Sequence, residues 1–202
     1  WITPSVGPST TNTIGTSAPE SNTSRSAAGL SCTAVTVPRS TPSVVAESTV
    51  PVIETGAGVV HIYLDESADL ENSVAIVHNA KVQRPSVCNA LETLLVNAAS
   101  APRLIPPVLA KLREAGVTVH GDSRTLELFP DALPATDEDW STEYMSLDVA
   151  VRVVDDLDDA LDHIRQYSTH HTESIITNDL ARAERFLAEV DSAVVMVNAS
   201  TR

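Results

Sequence analysis

The sequence is poor in cysteine, in basic residues and in long apolar runs, and each shortage removes a class of protein. Two cysteines, Cys32 and Cys88, in 202 residues cannot build the framework of a disulfide-stapled secreted scaffold. A reducing, cytoplasmic compartment is therefore expected. No run reaches roughly 18 apolar residues. The N-terminus has no charged stretch followed by an apolar core, so neither a membrane span nor a secretory signal is expected. Lys and Arg number 13 against 27 Asp and Glu, and the net charge of -14 would repel a phosphate backbone. Nucleic acid is excluded as a partner, and the acidity is read as serving solubility. There is no internal repeat. The histidines His61, His78, His120, His163, His170 and His171 have no recurring metal-ligand spacing, so no metal site is expected.

What is present falls into two regions. Residues 1–48 are rich in Ser, Thr and Pro, and their sparse apolar residues follow neither helical nor strand periodicity. Such a segment buries too little apolar surface to offset its ordering entropy, so disorder is predicted. Glu20, Glu47, Arg25 and Arg39 cancel there, which puts all the excess negative charge beyond residue 50.

Residues 49–202 read as one domain. V-P-V-I-E (50–54) and V-V-H-I-Y-L (59–64) are β-branched runs around T-G-A-G, which predicts two strands. Leu70, Val74, Val77 and Ala80 stand near helical spacing, which predicts a helix over 65–82 with carboxylates in its first turn. A strand at 91–96 and a helix over 102–116 follow, the helix starting near its prolines and closed by Gly116. Strands are predicted at 117–120, 147–154, 174–177 and 193–198. Helices are predicted at 155–167, with acids at its N-terminus, and at 178–190, capped by Asn178 or Asp179. The alternation implies an α/β domain with a largely parallel sheet and flanking helices.

The chemistry centres on Q-R-P-S-V-C-N-A (83–90). Pro85 disfavours helix before it, so the preceding helix should stop near Gln83 or Arg84. Ser86 could then cap a new short turn with Cys88 in its first positions, where unpaired N–H groups and the positive end of the dipole favour thiolate. Arg84 would add positive potential or contact an anion, or is a plain surface arginine. The other reading of Cys88 is a small buried hydrophobe. Glu54, beside the glycine turn, is either a general base or a strand-end acid. T-G-A-G is too short for a dinucleotide fingerprint. The acid runs D-E-S-A-D (65–69) and D-D-L-D-D (155–159) read as solvated helix starts.

The stretches V-P-V-I-E-T-G-A-G-V-V-H-I-Y-L-D-E-S-A-D-L and N-A-K-V-Q-R-P-S-V-C-N-A-L-E-T-L-L-V resemble one known family. L-P-A-T-D-E-D-W-S-T-E-Y and the ending V-N-A-S-T-R agree with it. It is the gamma-glutamyl phosphate reductase (glutamate-5-semialdehyde dehydrogenase) family of the aldehyde dehydrogenase superfamily. The resemblance implies an aldehyde-dehydrogenase-like catalytic domain over 49–202. It implies NADPH-dependent reduction of L-glutamyl 5-phosphate in proline biosynthesis, in a pathway shared with glutamate 5-kinase. Cys88 would attack the acyl phosphate to give a thioester, and its backbone N–H would be one donor to the oxyanion. Glu54 matches the base of hydrolytic members, a role that a reductase does not need. The resemblance also implies that most of the nucleotide-binding domain and a C-terminal segment are missing, so the isolated chain is expected not to turn over. The alternatives are a non-catalytic module acting through homo-oligomerisation, or a thiol enzyme for a different acyl substrate.

Overall fold

The computed structural model describes Thr49 and residues 57–202. The segment 1–48, the predicted strand at 50–54 and Glu54 lie outside the described residues. Strand β1 (Val60–Leu64) leads to helix α1 (Leu70–Val82), then β2 (Leu91–Asn97), α2 (Ala101–Glu114) and β3 (Thr118–Gly121). A short α3 (Ser123–Leu128), a two-residue β4 (Leu133–Pro134) and a 3-10 turn (Asp139–Ser141) precede β5 (Asp148–Val154). Then come α4 (Leu157–Tyr167), β6 (Thr172–Ile176), α5 (Leu180–Glu189) and β7 (Val194–Val197). Among the described residues the strands form one sheet in the order β4-β3-β5-β2-β1-β6-β7, and every pairing is parallel.

Alternate strand residues feed two helical layers. Ile62, Leu64, Leu94, Val96, Val149 and Val151 pack with α1, α2 and the α3 region. Tyr63, Leu95, Val154 and Ile175 face α4 and α5, where Leu161, Ile164 and Phe186 complete the second core. The strands are covered on both sides, which is why they read as near-continuous apolar runs.

The helix over 65–82 begins later than its pattern suggests. Asp69 is the N-cap, accepting from the Asn72 N–H at 2.9 Å. Asp65 is fully buried rather than solvated, because Arg182 donates to it at 2.7 Å and Thr177 and Ser67 donate at 2.8 Å. Burial alone would raise this carboxyl, but the Arg182, Thr177 and Ser67 hydrogen bonds hold it below the usual carboxylate range. It ties the end of β1 to α5. Asp156, within the second acid run, caps α4, and Asp179 rather than Asn178 caps α5. Helix α2 continues through Pro106 and Pro107. Each removes a backbone donor, yet Leu104, Ile105, Val108, Leu109 and Leu112 are buried along one face. At about 1.5–3 kcal/mol per fully buried side chain, that face outweighs the local penalty.

A polar layer lies beneath the N-terminal half of the sheet. His61 and His163 meet edge to face at 5.4 Å, and Trp140 and Tyr167 border His163. Arg152 donates to His163 Nδ1 at 2.7 Å, which fixes the neutral ring with its proton on Nε2. Burial, with His61 and Arg152 adding repulsion, pushes His163 down from 6.5 to about 2. The folded chain therefore binds fewer protons here than the unfolded chain below pH 6.5. This contribution is complete above that pH and is lost as pH falls toward 2, at up to about 1.4 kcal/mol per unit. Over pH 7 to 5 the buried Glu92, raised to about 7, contributes with the opposite sign, so the His163 contribution should be read as a difference: urea midpoints of His163→Gln should gain on those of the parent chain as pH falls from 7 to 5.

Candidate active site

Because all the strands run the same way, the segments that enter them converge at one edge of the sheet. Gly58 and Val59 precede β1, Cys88 to Ala90 precede β2, Glu143 to Leu147 precede β5, and Thr169 to His171 precede β6. The Gly58 N–H donates to Glu143 Oε1 at 2.9 Å, and the Val59 N–H donates to Thr169 Oγ1 at 3.0 Å. A Cβ on Gly58 would lie 1.7 Å from the Cys88 carbonyl oxygen. Only glycine lets the two backbones touch here, and the contact fixes where the Cys88 turn sits.

Residues 83–90 form consecutive turns, so Cys88 is not at a helix start. Ala90 N–H closes the turn onto the Val87 carbonyl at 2.9 Å, a tighter reversal than a helical turn, and β2 begins at once. The helix-dipole effect anticipated for the thiol is therefore absent. Cys88 is exposed rather than buried. The Cys88 and Asn89 amides donate to no acceptor among the described residues. Arg84 is exposed and makes no hydrogen bond or ion pair among them.

The base of this loop is closed by two charges. Lys81, at the end of α1, donates to Glu92, at the start of β2, at 2.8 Å, and neither side chain is exposed. Burial raises Glu92 to about 7 even beside the ammonium, and burial lowers Lys81. Glu92 also accepts from the Met145 N–H at 3.4 Å, which ties the segment before β5 to the same point. Next to it, Tyr144 lies 5.8 Å below the Lys81 ammonium and stacks on His120 at 5.2 Å. Burial and Asp139 raise the Tyr144 hydroxyl, which donates to Asp139 at 2.6 Å.

The chain end reaches the same edge. Asn198 takes a positive φ of 52°, and its side chain accepts from the Thr177 N–H and donates to the Thr177 carbonyl, both at 2.9 Å. This turn, which Asn tolerates well, sends the chain back from β7. Ser174 then donates to the Ala199 carbonyl, Ser200 to Asn79, and Arg202 Nη1 to Asn89 Oδ1.

Sequence reasoning found Cys88 but not the residues that hold it. Lys81 and Glu92 carried a readable signal, since opposite charges interrupt two apolar patterns 11 positions apart. Arg202 and Asn89 were only parts of quoted motifs. Gly58 and Glu143 lie 85 positions apart and gave no local signal.

No family model matches the chain. The parallel sheet resembles that of propionaldehyde dehydrogenase from Rhodopseudomonas palustris, with a TM-score of 0.56 over 74% of this chain and 41% of that one. At 14% identity this concerns the fold alone. The described domain has an aldehyde-dehydrogenase-like fold. Within that class the similarity is to gamma-glutamyl phosphate reductases. The enzyme from Clavibacter michiganensis is 70% identical over 160 residues, 79% of this chain. That from Leifsonia xyli is 68% identical over 159 residues. The crystal structure of the Thermotoga maritima enzyme matches with a TM-score of 0.75 at 50% identity, covering 77% of this chain and 37% of that one. The chain spans 37% and 38% of the length of the first two curated relatives. Among the described residues no helix is long and apolar enough to cross a membrane.

Proposed function

We propose that this chain carries the acyl-accepting site of a gamma-glutamyl phosphate reductase, acting on L-glutamyl 5-phosphate in proline biosynthesis, with Cys88 as nucleophile. The observation that carries the reading is an exposed thiol on a turn where the Cys88 and Asn89 amides engage no acceptor among the described residues, in a domain with relatives of that name. The Cys88 thiol gives its proton to solvent, and its sulfur attacks the acyl carbon. The Cys88 and Asn89 N–H groups stand ready as donors to the tetrahedral oxyanion. Collapse breaks the bond from the acyl carbon to the phosphate oxygen, phosphate leaves, and a glutamyl thioester remains.

When bound in the longer proteins, NADPH supplies the hydride that reduces such an acyl group to the aldehyde. The described residues do not fit that cofactor. Gly58 is filled by the Cys88 carbonyl, Gly121 packs on Thr125, and Gly116 closes α2. None opens a glycine-rich turn between a strand and a long helix, where a pyrophosphate would dock. Hydride delivery is therefore not assigned to residues of this chain, and the isolated chain is proposed to stop at the thioester.

The test generates glutamyl phosphate in place from glutamate, ATP and glutamate 5-kinase. One glutamyl group per chain should appear on Cys88 by mass spectrometry, without sustained NADPH oxidation. Acylation elsewhere, or steady NADPH consumption, would overturn the reading.

A further inference from the structure

Arg202 stands out among the cations of the described domain. Lys81, Lys111, Arg113, Arg124, Arg152, Arg165, Arg182 and Arg185 all pair with carboxylates. Arg103 donates to the Glu66 and Ala68 carbonyls. Arg202 pairs with no carboxylate among the described residues, in a chain of net charge -14. Its Nη1 is spent on Asn89, the residue after Cys88. Its Nε is buried without an acceptor, and so is the hydroxyl of Thr201, a residue only 1% exposed. A buried guanidinium N–H without a partner is unfavourable, and such groups call for an acceptor that the described residues do not supply. The planar fork of arginine fits the paired oxygens of a phosphoryl or carboxylate group.

We propose that Arg202, held by Asn89, is the anion-binding residue of the Cys88 site and takes a phosphoryl or carboxylate oxyanion of the acyl substrate. The inference deepens the function proposed above and rests on Cys88 as acyl acceptor. It moves the anion contact from Arg84, which is exposed and unsupported, to an arginine hydrogen-bonded to the side chain of the residue after Cys88. Reversal of the chain at Asn198, followed by the Ser174 and Ser200 hydrogen bonds, delivers it there. Arg202 binds and orients the substrate, and no proton transfer is assigned to it.

Two measurements test this. The first compares alkylation of Cys88 by iodoacetate and by iodoacetamide. Arg202→Gln should lower the rate ratio of anionic to neutral reagent about tenfold, near the lower end for one charge-assisted hydrogen bond, and Arg202→Lys should lower it less. The second uses Cys88→Ser and follows thermal stabilisation by inorganic phosphate and, separately, by glutarate. Stabilisation by either should vanish in Cys88→Ser/Arg202→Gln, and the anion that stabilises identifies the oxyanion bound. An unchanged ratio together with unchanged stabilisation overturns the assignment and leaves Cys88 untouched. A loss produced by Arg84→Gln instead also overturns it. Arg202-dependent phosphate binding in a chain that takes no acyl group would overturn the acyl-acceptor reading and leave Arg202 as an anion-binding residue without an acyl substrate.

Discussion

Cys88→Ser should eliminate the glutamyl adduct and lower the rate of chain-dependent phosphate release from glutamyl phosphate by at least about 10³-fold, a conservative figure for removing a covalent nucleophile. The serine hydroxyl would occupy the same exposed turn, where the Cys88 thiol makes no hydrogen bond to a basic side chain among the described residues. His61, the nearest histidine in sequence to the Gly58 contact, is fully buried and bonded to Glu173 at 3.2 Å. A weakly acidic alcohol in that setting stays protonated, whereas a thiol supplies some thiolate at neutral pH. The turn itself should survive, because it is held by the Cys88 backbone carbonyl against Gly58 and not by the thiol. Circular dichroism and urea midpoints should therefore match the parent chain within about 0.5 kcal/mol, the usual range for an exposed substitution. Phosphate release that persists in Cys88→Ser would assign the acyl acceptor to another residue.

The contrast between thiol and scaffold also explains what the sequence could reveal. Strand and helix identities were legible because the buried parallel strands are mostly apolar and helices carry Asp caps at 69, 156 and 179. Boundaries slipped where a polar residue was committed to a distant partner, as with Asp65 and Arg182, 117 positions apart. The short α3 and β4 were missed because six and two residues hold too little periodicity to register. Cys88 was visible as chemistry because Pro85 and Ser86 mark a break before it. It sits in a short turn as expected, and the immediate start of β2 means that no helix follows it. The supports of the site are long-range contacts between segments that enter parallel strands, and no local pattern encodes them. Arg202 depends on a chain reversal at Asn198 and on a partner 113 positions away.

Lys81→Met should destabilise the domain by about 3–5 kcal/mol, the range seen when one partner of a buried ion pair is removed. Lys81 occupies the buried stripe of α1 with Ser73, Val77 and Ala80, so methionine can fill the space and the loss is electrostatic. Glu92 would remain fully buried with only the backbone N–H groups of Tyr144 and Met145 to stabilise its charge. Its carboxyl, already raised to about 7 with the ammonium present, would rise further. A group whose folded pKa lies above its unfolded value penalises the fold increasingly as pH rises past the unfolded value of 4.5. The penalty of Lys81→Met should therefore be smallest below pH 4.5 and grow with rising pH, as read from urea midpoints. Lys81→Met/Glu92→Leu removes the stranded charge and should recover most of the loss, so the two substitutions should be strongly non-additive. The same pair staples the two ends of the loop that carries Cys88. Alkylation of Cys88 in the double variant then separates the two roles. A rate equal to that of the parent chain would mean that the ion pair serves stability alone. A changed rate at recovered stability would mean that Lys81 and Glu92 also position the nucleophile.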